Sequence, residues 1–247
     1  MATLSCSNIS KRFGGVQALE RVSIAFPEAA ITAIIGPNGA GKTTLINVLT
    51  GYERPDCGTC FLGRTEITGQ DPSRIARAGV GRTFQGVKLA YRMSTLENLE
   101  LAHSSTWGES FAAVFTGSTR VWHEQGRQQY RALEEIGLAD MAERPAGELS
   151  YGQAKLLSLA CAMGREPEVL ILDEPVAGID DSNKDVVLSM IKKRQALGWT
   201  TVFIEHDIQL VSTLAEYLLI LNAGRVVFSG TVAEALSRAS VADEFLT

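Results

Sequence analysis

The sequence has few cysteines, no long apolar run and no excess of positive charge. Four cysteines in 247 residues are too few for a disulfide framework in a chain that can bury its own core. No stretch approaches the roughly 18 consecutive apolar residues that cross a bilayer, and residues 1–6 lack the features of a secretion signal. The 28 acidic residues outnumber the 23 lysines and arginines, which disfavours a nucleic-acid binder because phosphate backbones reward a basic face. These absences predict a cytoplasmic protein with small-molecule or protein partners. If the protein serves a membrane, it would do so from outside the lipid.

Four short apolar runs lack polar alternation and are bounded by turn residues, so each predicts a strand buried on both faces. They are residues 31–35, 169–172, 200–204 and 218–221. Helical stretches between them indicate an α/β fold with a mainly parallel sheet. A turn at 222–225 predicts a hairpin between the fourth run and residues 226–228. Residues 22–26 indicate a small antiparallel β layer beside the main sheet.

The middle of the chain, about residues 96–165, lacks β-rich runs and is rich in helix formers. It predicts a helical lobe inserted into the α/β fold. We therefore expect a single domain over residues 1–247. Residues 1–85 and 166–247 would form the core with its antiparallel layer, and residues 86–165 would form the helical lobe.

A glycine-rich segment lies between the first apolar run and a predicted helix at 44–49. Its spacing fits G-x-x-x-x-G-K-[ST], which binds phosphate when a strand precedes it and a helix follows. Glycines let backbone N–H groups converge on phosphate oxygens, and the helix directs its positive end at the anion. Lys42 adds a charge for the β- and γ-phosphates, and Thr43 offers a hydroxyl to Mg²⁺. The predicted nucleotide-binding residues here are Gly36, Pro37, Asn38, Gly39, Ala40, Gly41, Lys42, Thr43 and Thr44.

Acidic and histidine side chains follow two other apolar runs. Asp173 and Glu174 come directly after the second run, and His206 follows the third. Open α/β sheets bind ligands at the carboxyl ends of their strands, so we expect these residues at the same edge as the phosphate loop. There, Asp173 would be a ligand of Mg²⁺ and Glu174 the base for an attacking water. Glu174, His206 and Lys42 are the predicted catalytic residues.

The segment at 149–153 opens an apolar helix that runs to about residue 163. Ser150 and Gln153 have the spacing of a capping box, in which each side chain bonds the other's backbone N–H. A serine hydroxyl, the backbone of Gly152 and a helix N-terminus also suit an anion such as a γ-phosphate. The two interpretations are compatible.

With these segments in place, the sequence resembles the nucleotide-binding subunits of ABC transporters over nearly the whole chain. Residues 36–43 match the Walker A loop of that family, 149–153 its signature motif and 169–174 its Walker B strand, in the family's order. The resemblance implies a P-loop NTPase (RecA-like) core. It also implies an ATPase that uses ATP and Mg²⁺ at the interface of two ATPase subunits.

The resemblance implies further site residues that the pattern alone would not single out. Gln85 matches the Q-loop glutamine, which would contact Mg²⁺ and sense the transmembrane partner. Asp180 matches the D-loop residue that faces the opposing subunit, and His206 matches the histidine that orients the γ-phosphate. Phe13 matches the aromatic residue that stacks on adenine. The signature residues that would bind the other subunit's ATP are Ser150, Tyr151, Gly152 and Gln153, with Tyr151 in place of a more common glycine.

The implied partners are a second ATPase subunit, identical or paralogous, transmembrane permease subunits and, indirectly, a solute-binding protein. The chain would work at the cytoplasmic face of the inner membrane. Residues 47–52, 74–85 and 149–153 look most like the ATPases of branched-chain amino acid importers. Three alternatives stay open: an importer of urea or amides, a non-transport ABC ATPase, and a regulatory module that binds ATP without hydrolysing it.

Two other motifs are weaker evidence of function. Residues 183–185 begin like the guanine-reading Asn-Lys-x-Asp, but Val186 occupies the required aspartate position, so adenine is the better base. Cys57 and Cys60 have metal-ligand spacing without a second pair nearby, and the resemblance implies a turn at the entry of a strand there.

Overall fold

The structure of the chain is a computed structural model that describes residues 4–84, 86–103 and 128–238. It divides into two compact units. The first comprises Met1–Arg82, Pro167–Pro175 and Met190–Thr247, and the second comprises Thr83–Glu166 and Val176–Ser189. The predicted helical lobe, residues 86–165, falls within the range of the second unit, which also includes Val176–Ser189.

The first unit holds two sheets. Their strands are β1 (Leu4–Phe13), β2 (Val16–Ala25), β3 (Ile31–Ile35), β4 (Cys57–Leu62), β5 (Thr65–Glu66), β6 (Val80–Arg82), β7 (Val169–Asp173), β8 (Thr200–Ile204), β9 (Tyr217–Asn222) and β10 (Arg225–Thr231).

The larger sheet has the order β10-β9-β3-β8-β7-β6. All its neighbouring strands are parallel except the β9–β10 hairpin. Every residue of β3, β7 and β8 is buried, as expected where helices or a second sheet cover both faces. The four predicted apolar strands and the hairpin are confirmed. The short strand β6 was missed because Val80 is its one large apolar residue.

The smaller sheet has the order β2-β1-β4-β5 and is antiparallel throughout. It confirms the predicted antiparallel layer, although β2 begins at Val16 rather than residue 22. The turn expected at 57–60 is wrong, since these residues form the first part of β4. Gly58 has φ +93°, and a Cβ there would lie 2.5 Å from the carbonyl oxygens of Ser7 and Asn8. The pairing of β1 with β4 shifts its register between Ser7 and Ser10, beside this close approach, as in a β-bulge.

The helices are α1 (Lys42–Leu49), α2 (Pro72–Arg77), α3 (Thr95–His103), α4 (Tyr151–Met163), α5 (Asp181–Ala196), α6 (Ile208–Leu214) and α7 (Val232–Ser237). Helix α1 begins two residues before the predicted start, because Gly41 caps it in the left-handed conformation. Its residues Leu45, Ile46 and Leu49 are fully buried in one cluster that also contains residues of both sheets. Each such side chain contributes about 1.5–3 kcal/mol on burial, so the core fixes α1 directly after β3.

The four cysteines have free thiols. Cys6 and Cys60 face each other across β1 and β4. Burial raises the pKa of Cys6 to about 11 and that of Cys60 to about 12. Both are therefore protonated and behave as small apolar core residues.

The second unit is helical in the part that the structure describes. Helix α3 packs against α4, and a helical segment covers residues 128–135. Thr95 and Leu99 on α3 are fully buried, as are Leu133 and Leu157. Within the described ranges, no helix of the protein has both the length and the apolar character needed to cross a membrane.

Candidate nucleotide site

The phosphate loop connects β3 to α1 with positive φ angles at Gly36, Gly39 and Gly41, of 145°, 79° and 99°. At Gly36 a Cβ would lie 2.0 Å from the backbone oxygen of Leu221 on β9. At Gly41 a Cβ would lie 2.4 Å from the backbone oxygen of Ala18. Backbone from neighbouring strands therefore requires glycine at two of these three positions.

The side chain of Lys42 bonds two carbonyl groups of its own loop. It is buried, and Nζ donates to the carbonyl oxygens of Gly36 at 2.6 Å and Pro37 at 3.0 Å. Burial lowers the pKa of Lys42, while the carboxylates of Glu174 and Asp173 oppose that shift. The ammonium thus lies within the phosphate loop, near two carboxylates. An anionic ligand can compete there with the two carbonyl oxygens for the ammonium.

The carboxyl ends of β7 and β8 bring two of the predicted catalytic residues to the same edge. Glu174 follows β7, and His206 follows β8 by two residues. His206 Nε2 lies 3.0 Å from Glu174 Oε1. The backbone N–H of Glu174 donates to Ile204 at 3.1 Å, which keeps the chain beside β8 after β7 ends. Because β8 lies between β3 and β7 in the sheet, this pair and the phosphate loop share one edge.

Glu174 has a backbone conformation that is uncommon outside glycine. Its φ is +49°, in the left-handed region that costs about 1–3 kcal/mol for most residues. The side chain is 19% exposed, against 48% for His206. The strained turn thus holds a partly shielded carboxylate beside the histidine.

Asp173, at the end of β7, is paired with a residue that the sequence analysis did not single out. Its Oδ2 lies 3.8 Å from NH2 of Arg82, and both side chains are less than 10% exposed. Arg82 also donates to Thr50 Oγ1 at 2.7 Å and lies 5.2 Å from the ring centroid of Tyr52. Burial raises the pKa of Asp173, and Arg82 opposes that shift. A charged residue two positions after Val80 was the only sequence signal for this group.

Phe13 ends β1 and pairs with Val16 across the β1–β2 hairpin. Its ring is 45% exposed and has Lys11 Nζ 5.1 Å from its centroid. The same hairpin supplies Ala18, which contacts Gly41. The ring of Phe13 is thus exposed and lies five residues before Ala18, which contacts the phosphate loop. An exposed aromatic ring in this position is suited to stacking on a base.

The turn between β9 and β10 also holds the phosphate loop. The N–H of Gly224 donates to the carbonyl of Ala40 at 3.0 Å, and the carbonyl of Gly224 accepts from Glu20 at 2.8 Å. The loop is thereby tied to the β9–β10 hairpin and, through Gly224, to β2. No sequence pattern indicated this bond, since the turn residues 222–225 match an ordinary hairpin.

In the second unit, the predicted signature residues form the first turn of α4. Ser150 Oγ accepts from the N–H of Gln153 at 3.3 Å, and Gln153 Oε1 accepts from the N–H of Ser150 at 2.9 Å. This is the capping box that the sequence predicts. Ser150 and Tyr151 are exposed, while Gly152 is buried. The helix therefore presents a serine and an aromatic ring at a positively polarised N-terminus.

The predicted D-loop residue caps α5 in the same unit. Asp180 accepts from Ser182 Oγ at 2.6 Å and from the backbone and side chain of Asn183 at 3.0 and 2.7 Å. These hydrogen bonds, that from Ser182 first, lower the pKa of Asp180 to about 2. A Cβ on Gly152 would lie 2.7 Å from Asn183 Nδ2. The cap of α5 thus contacts the signature helix.

Lys155 makes a second link from the signature helix to this loop. It is buried, and its Nζ donates to the carbonyl of Ala177 at 2.6 Å. The ring of Tyr151 lies close to Gly178, 3.1 Å from the position of a Cβ. Lys155 and Asn183 were missed as contributors. A single charge on the apolar face of a helix was the signal for Lys155.

Gln85 lies outside the described residues. The other magnesium candidates are Thr43, which is exposed at the start of α1, and the buried Asp173. No group of three or more histidine, cysteine or acidic side chains in the described ranges could hold a metal alone. One hydroxyl and one carboxylate suit Mg²⁺ that is held jointly with phosphates.

The family model described as "ABC transporter" matches residues 19–177. A high-affinity branched-chain amino acid transport ATP-binding protein of Pseudomonas aeruginosa is 38% identical over 232 residues, 92% of this chain and 91% of its own. The chain belongs to the ABC transporter ATP-binding family.

Solved structures of ABC cassettes share the fold. A nucleotide-free ATP-binding cassette from an ABC transporter is 32% identical, covers 98% of both chains and superposes with a TM-score of 0.83. A dimeric, post-hydrolysis cassette bound to ADP and phosphate is 23% identical and covers 93% of this chain and 98% of its own, with a TM-score of 0.77. This ABC chain is thus an ATP-binding subunit with the α/β cassette fold that the sequence predicted.

Proposed function

We propose that this chain hydrolyses ATP, with Mg²⁺, at the edge of the larger sheet where β3, β7 and β8 end. The 3.0 Å contact between His206 Nε2 and Glu174 Oε1 carries the proposal. It places a carboxylate and a histidine at the edge that holds the phosphate loop. A module that only binds ATP has no need of such a pair, which disfavours the regulatory alternative.

Each residue has a distinct part in the proposed reaction. Lys42 leaves the carbonyls of Gly36 and Pro37 to bind the β- and γ-phosphates, together with the loop N–H groups. Glu174 accepts a proton from the attacking water, and His206 orients the γ-phosphoryl group. Thr43 and Asp173, with Gln85, would hold Mg²⁺, which neutralises charge on the phosphates. Phe13 would stack on adenine.

The first turn of α4 and the cap of α5, both in the second unit, fit the half-site that the ABC family offers to a partner subunit. Ser150, Tyr151, Gly152 and Gln153 would contact ATP held by another ATPase subunit, and Asp180 would face that subunit. The exposure of Ser150, Tyr151 and Asp180 and the helix N-terminus of α4 support this assignment. The dimeric cassette with ADP and phosphate supports a second ATPase subunit as the partner. The two units would then act together as one ATPase domain.

We infer that the dimer drives solute uptake through transmembrane permease subunits at the cytoplasmic face of the inner membrane, with a solute-binding protein as an indirect partner. The name of the Pseudomonas relative supports branched-chain amino acids as the solute. A urea or amide importer and a non-transport ABC ATPase are the alternatives. Uptake of labelled leucine and labelled urea, in cells with and without the chain, distinguishes them: loss of leucine uptake alone is expected. Loss of urea uptake, or of neither, would contradict the amino-acid assignment.

Glu174→Gln tests the hydrolysis proposal. It should lower phosphate release by about 10²- to 10⁴-fold, the usual contribution of a general base, while ATP binding stays within a few-fold of the unchanged chain. Glu66→Gln, at an exposed position on β5, is the matched control and should retain full activity. Unchanged phosphate release by Glu174→Gln would contradict the role given to Glu174.

A further inference from the structure

Arg82 lies at the end of β6 and reaches the carboxylate at the end of β7. The register of these parallel strands pairs Arg82 with Ile171. Paired residues point to the same side of a sheet, as do residues two apart on one strand, so Asp173 and Arg82 share a face. The ion pair at 3.8 Å between Arg82 NH2 and Asp173 Oδ2 follows from this register.

A second contact holds the guanidinium in place. Arg82 NH1 donates to Thr50 Oγ1 at 2.7 Å, and Thr50 Oγ1 itself donates to the carbonyl of Ile46 at 2.6 Å. Thr50 is the C-cap of α1, the helix that begins at the phosphate loop. The centroid of the Tyr52 ring lies 5.2 Å from the guanidinium carbon, within the range of a cation–π contact. Arg82 therefore links the end of the phosphate-loop helix to Asp173.

The burial of this group limits its possible orientations. The side chains of Arg82 and Asp173 are 7% and 6% exposed. A planar guanidinium has donors in a fixed fork, so that anchoring one nitrogen sets the direction of the others. Groups that bond a metal-binding carboxylate orient it, and their loss typically costs 10- to 100-fold in metal affinity or activity.

We propose that Arg82 is a positioning residue for magnesium: anchored on Thr50, its guanidinium fixes the Asp173 carboxylate in the orientation that receives Mg²⁺. The inference rests on the proposed function, which makes Asp173 a ligand of Mg²⁺. Arg82 acts through Asp173 and through no contact of its own with nucleotide.

The test measures Mg²⁺ dependence of nucleotide binding by the full chain, with a fluorescent ATP analogue titrated at increasing Mg²⁺ and again in EDTA. Arg82→Met should raise the Mg²⁺ concentration at half-saturation about tenfold and leave the affinity in EDTA within about twofold. Arg82→Lys, which keeps the charge and loses the fork, should give an intermediate shift. Arg64→Met, at an exposed position, is the control and should give no shift.

Thr50→Val is the second variant, and it keeps Arg82 and Asp173 while removing the anchor. It should shift Mg²⁺ dependence in the same direction by a smaller factor, so it decides the question if Arg82→Met does not fold. Unchanged or tighter Mg²⁺ binding in these variants would overturn the proposal, because an arginine that merely repels the cation gives tighter binding when removed.

Asp173→Asn separates this inference from the proposed function. A large rise in the Mg²⁺ requirement of Asp173→Asn, without a shift in Arg82→Met, overturns the role of Arg82 alone. No shift in Asp173→Asn overturns the assignment of Asp173 to Mg²⁺, and the inference about Arg82 with it.

Discussion

The two units hold their candidate residues in different ways. In the first, Lys42 and Asp173 are buried beside the carboxyl ends of parallel strands, and the charged groups near them come from distant parts of the sequence: the carboxylates of Asp173 and Glu174 near Lys42, and Arg82 beside Asp173. In the second, Ser150 and Asp180 are exposed and fixed by bonds to residues two or three positions away. Tertiary structure therefore builds the first group, whereas short-range capping builds the second. A buried group suits chemistry, and an exposed one suits contact with another molecule.

Glycine substitutions test this difference with the largest expected effects. Gly36→Ala places a Cβ 2.0 Å from the backbone of Leu221 at a φ of +145°. Strain and crowding should together lower the free energy of unfolding by about 2–5 kcal/mol. Gly152→Ala meets the movable side chain of Asn183 instead and should cost about 1 kcal/mol. Urea unfolding of both variants measures the two values.

Gly39→Ala is the control for strain alone. Its φ is +79°, and nothing lies within 4 Å of the added Cβ, so about 1–2 kcal/mol is expected. Equal losses in Gly36→Ala and Gly152→Ala would remove the distinction between a loop fixed by distant backbone and a helix turn fixed locally.

Two buried lysines give the next comparison. Lys42→Met should weaken ATP binding by about 10- to 100-fold, because charged hydrogen bonds contribute about 1.5–3 kcal/mol. Lys155→Met removes the bond to Ala177 and should leave ATP binding by the isolated chain within about twofold. It should instead weaken ATP-dependent association, by about tenfold on the same scale.

Fluorescent ATP titration and sedimentation in the Glu174→Gln background measure the two lysine effects separately. Normal ATP-dependent association of Lys155→Met would show that association does not require the bond between the signature helix and the 177–180 loop. Weakened ATP binding in the isolated Lys155→Met chain would contradict the separation of roles.

The pH dependence of Asp180 gives the smallest effect. Its pKa in the folded chain is about 2, below the ordinary 3.8, so its ionised form stabilises the fold above about pH 4, and this contribution is lost as pH falls toward 2. The stability difference between the unchanged chain and Asp180→Asn should therefore be constant near neutrality and shrink below pH 4. Thermal unfolding from pH 7 to 2.5 measures it.

Ser182→Ala removes the bond that lowers the pKa of Asp180 most. In that background the pH-dependent difference should become smaller. A difference that is unaffected by Ser182→Ala would mean that groups other than the Ser182 hydroxyl, such as Asn183, hold the carboxylate.

The sequence predicts those features that depend on local order. The phosphate loop, the capping box of Ser150 and Gln153, and the apolar strands all have fixed spacings that a single segment contains. The parallel arrangement then predicts that the residues after β7 and β8 meet at one edge. This is why the proximity of Glu174 and His206 could be anticipated.

Features that depend on long-range register could not be predicted in this way. Arg82 is 91 positions from Asp173 in the chain, and only the β6–β7 pairing brings them together. The strand β6 itself has three residues, too few for any periodicity. Lys155 and Asn183 were overlooked for a related reason: their partners, Ala177 and Gly152, lie in separate segments, and the contacts require the fold.

The bond between Gly224 and Ala40 has a practical consequence for engineering the chain. Hairpin tips with small polar residues are usually the preferred places to insert tags, fluorescent reporters or affinity handles. Here the tip at residues 222–225 bonds the phosphate loop through Ala40 and bonds Glu20 through the carbonyl of Gly224. An insertion at that tip would pull on the nucleotide loop, so a reporter intended to leave ATP binding intact belongs at a different turn, such as the one at Gly63 and Arg64.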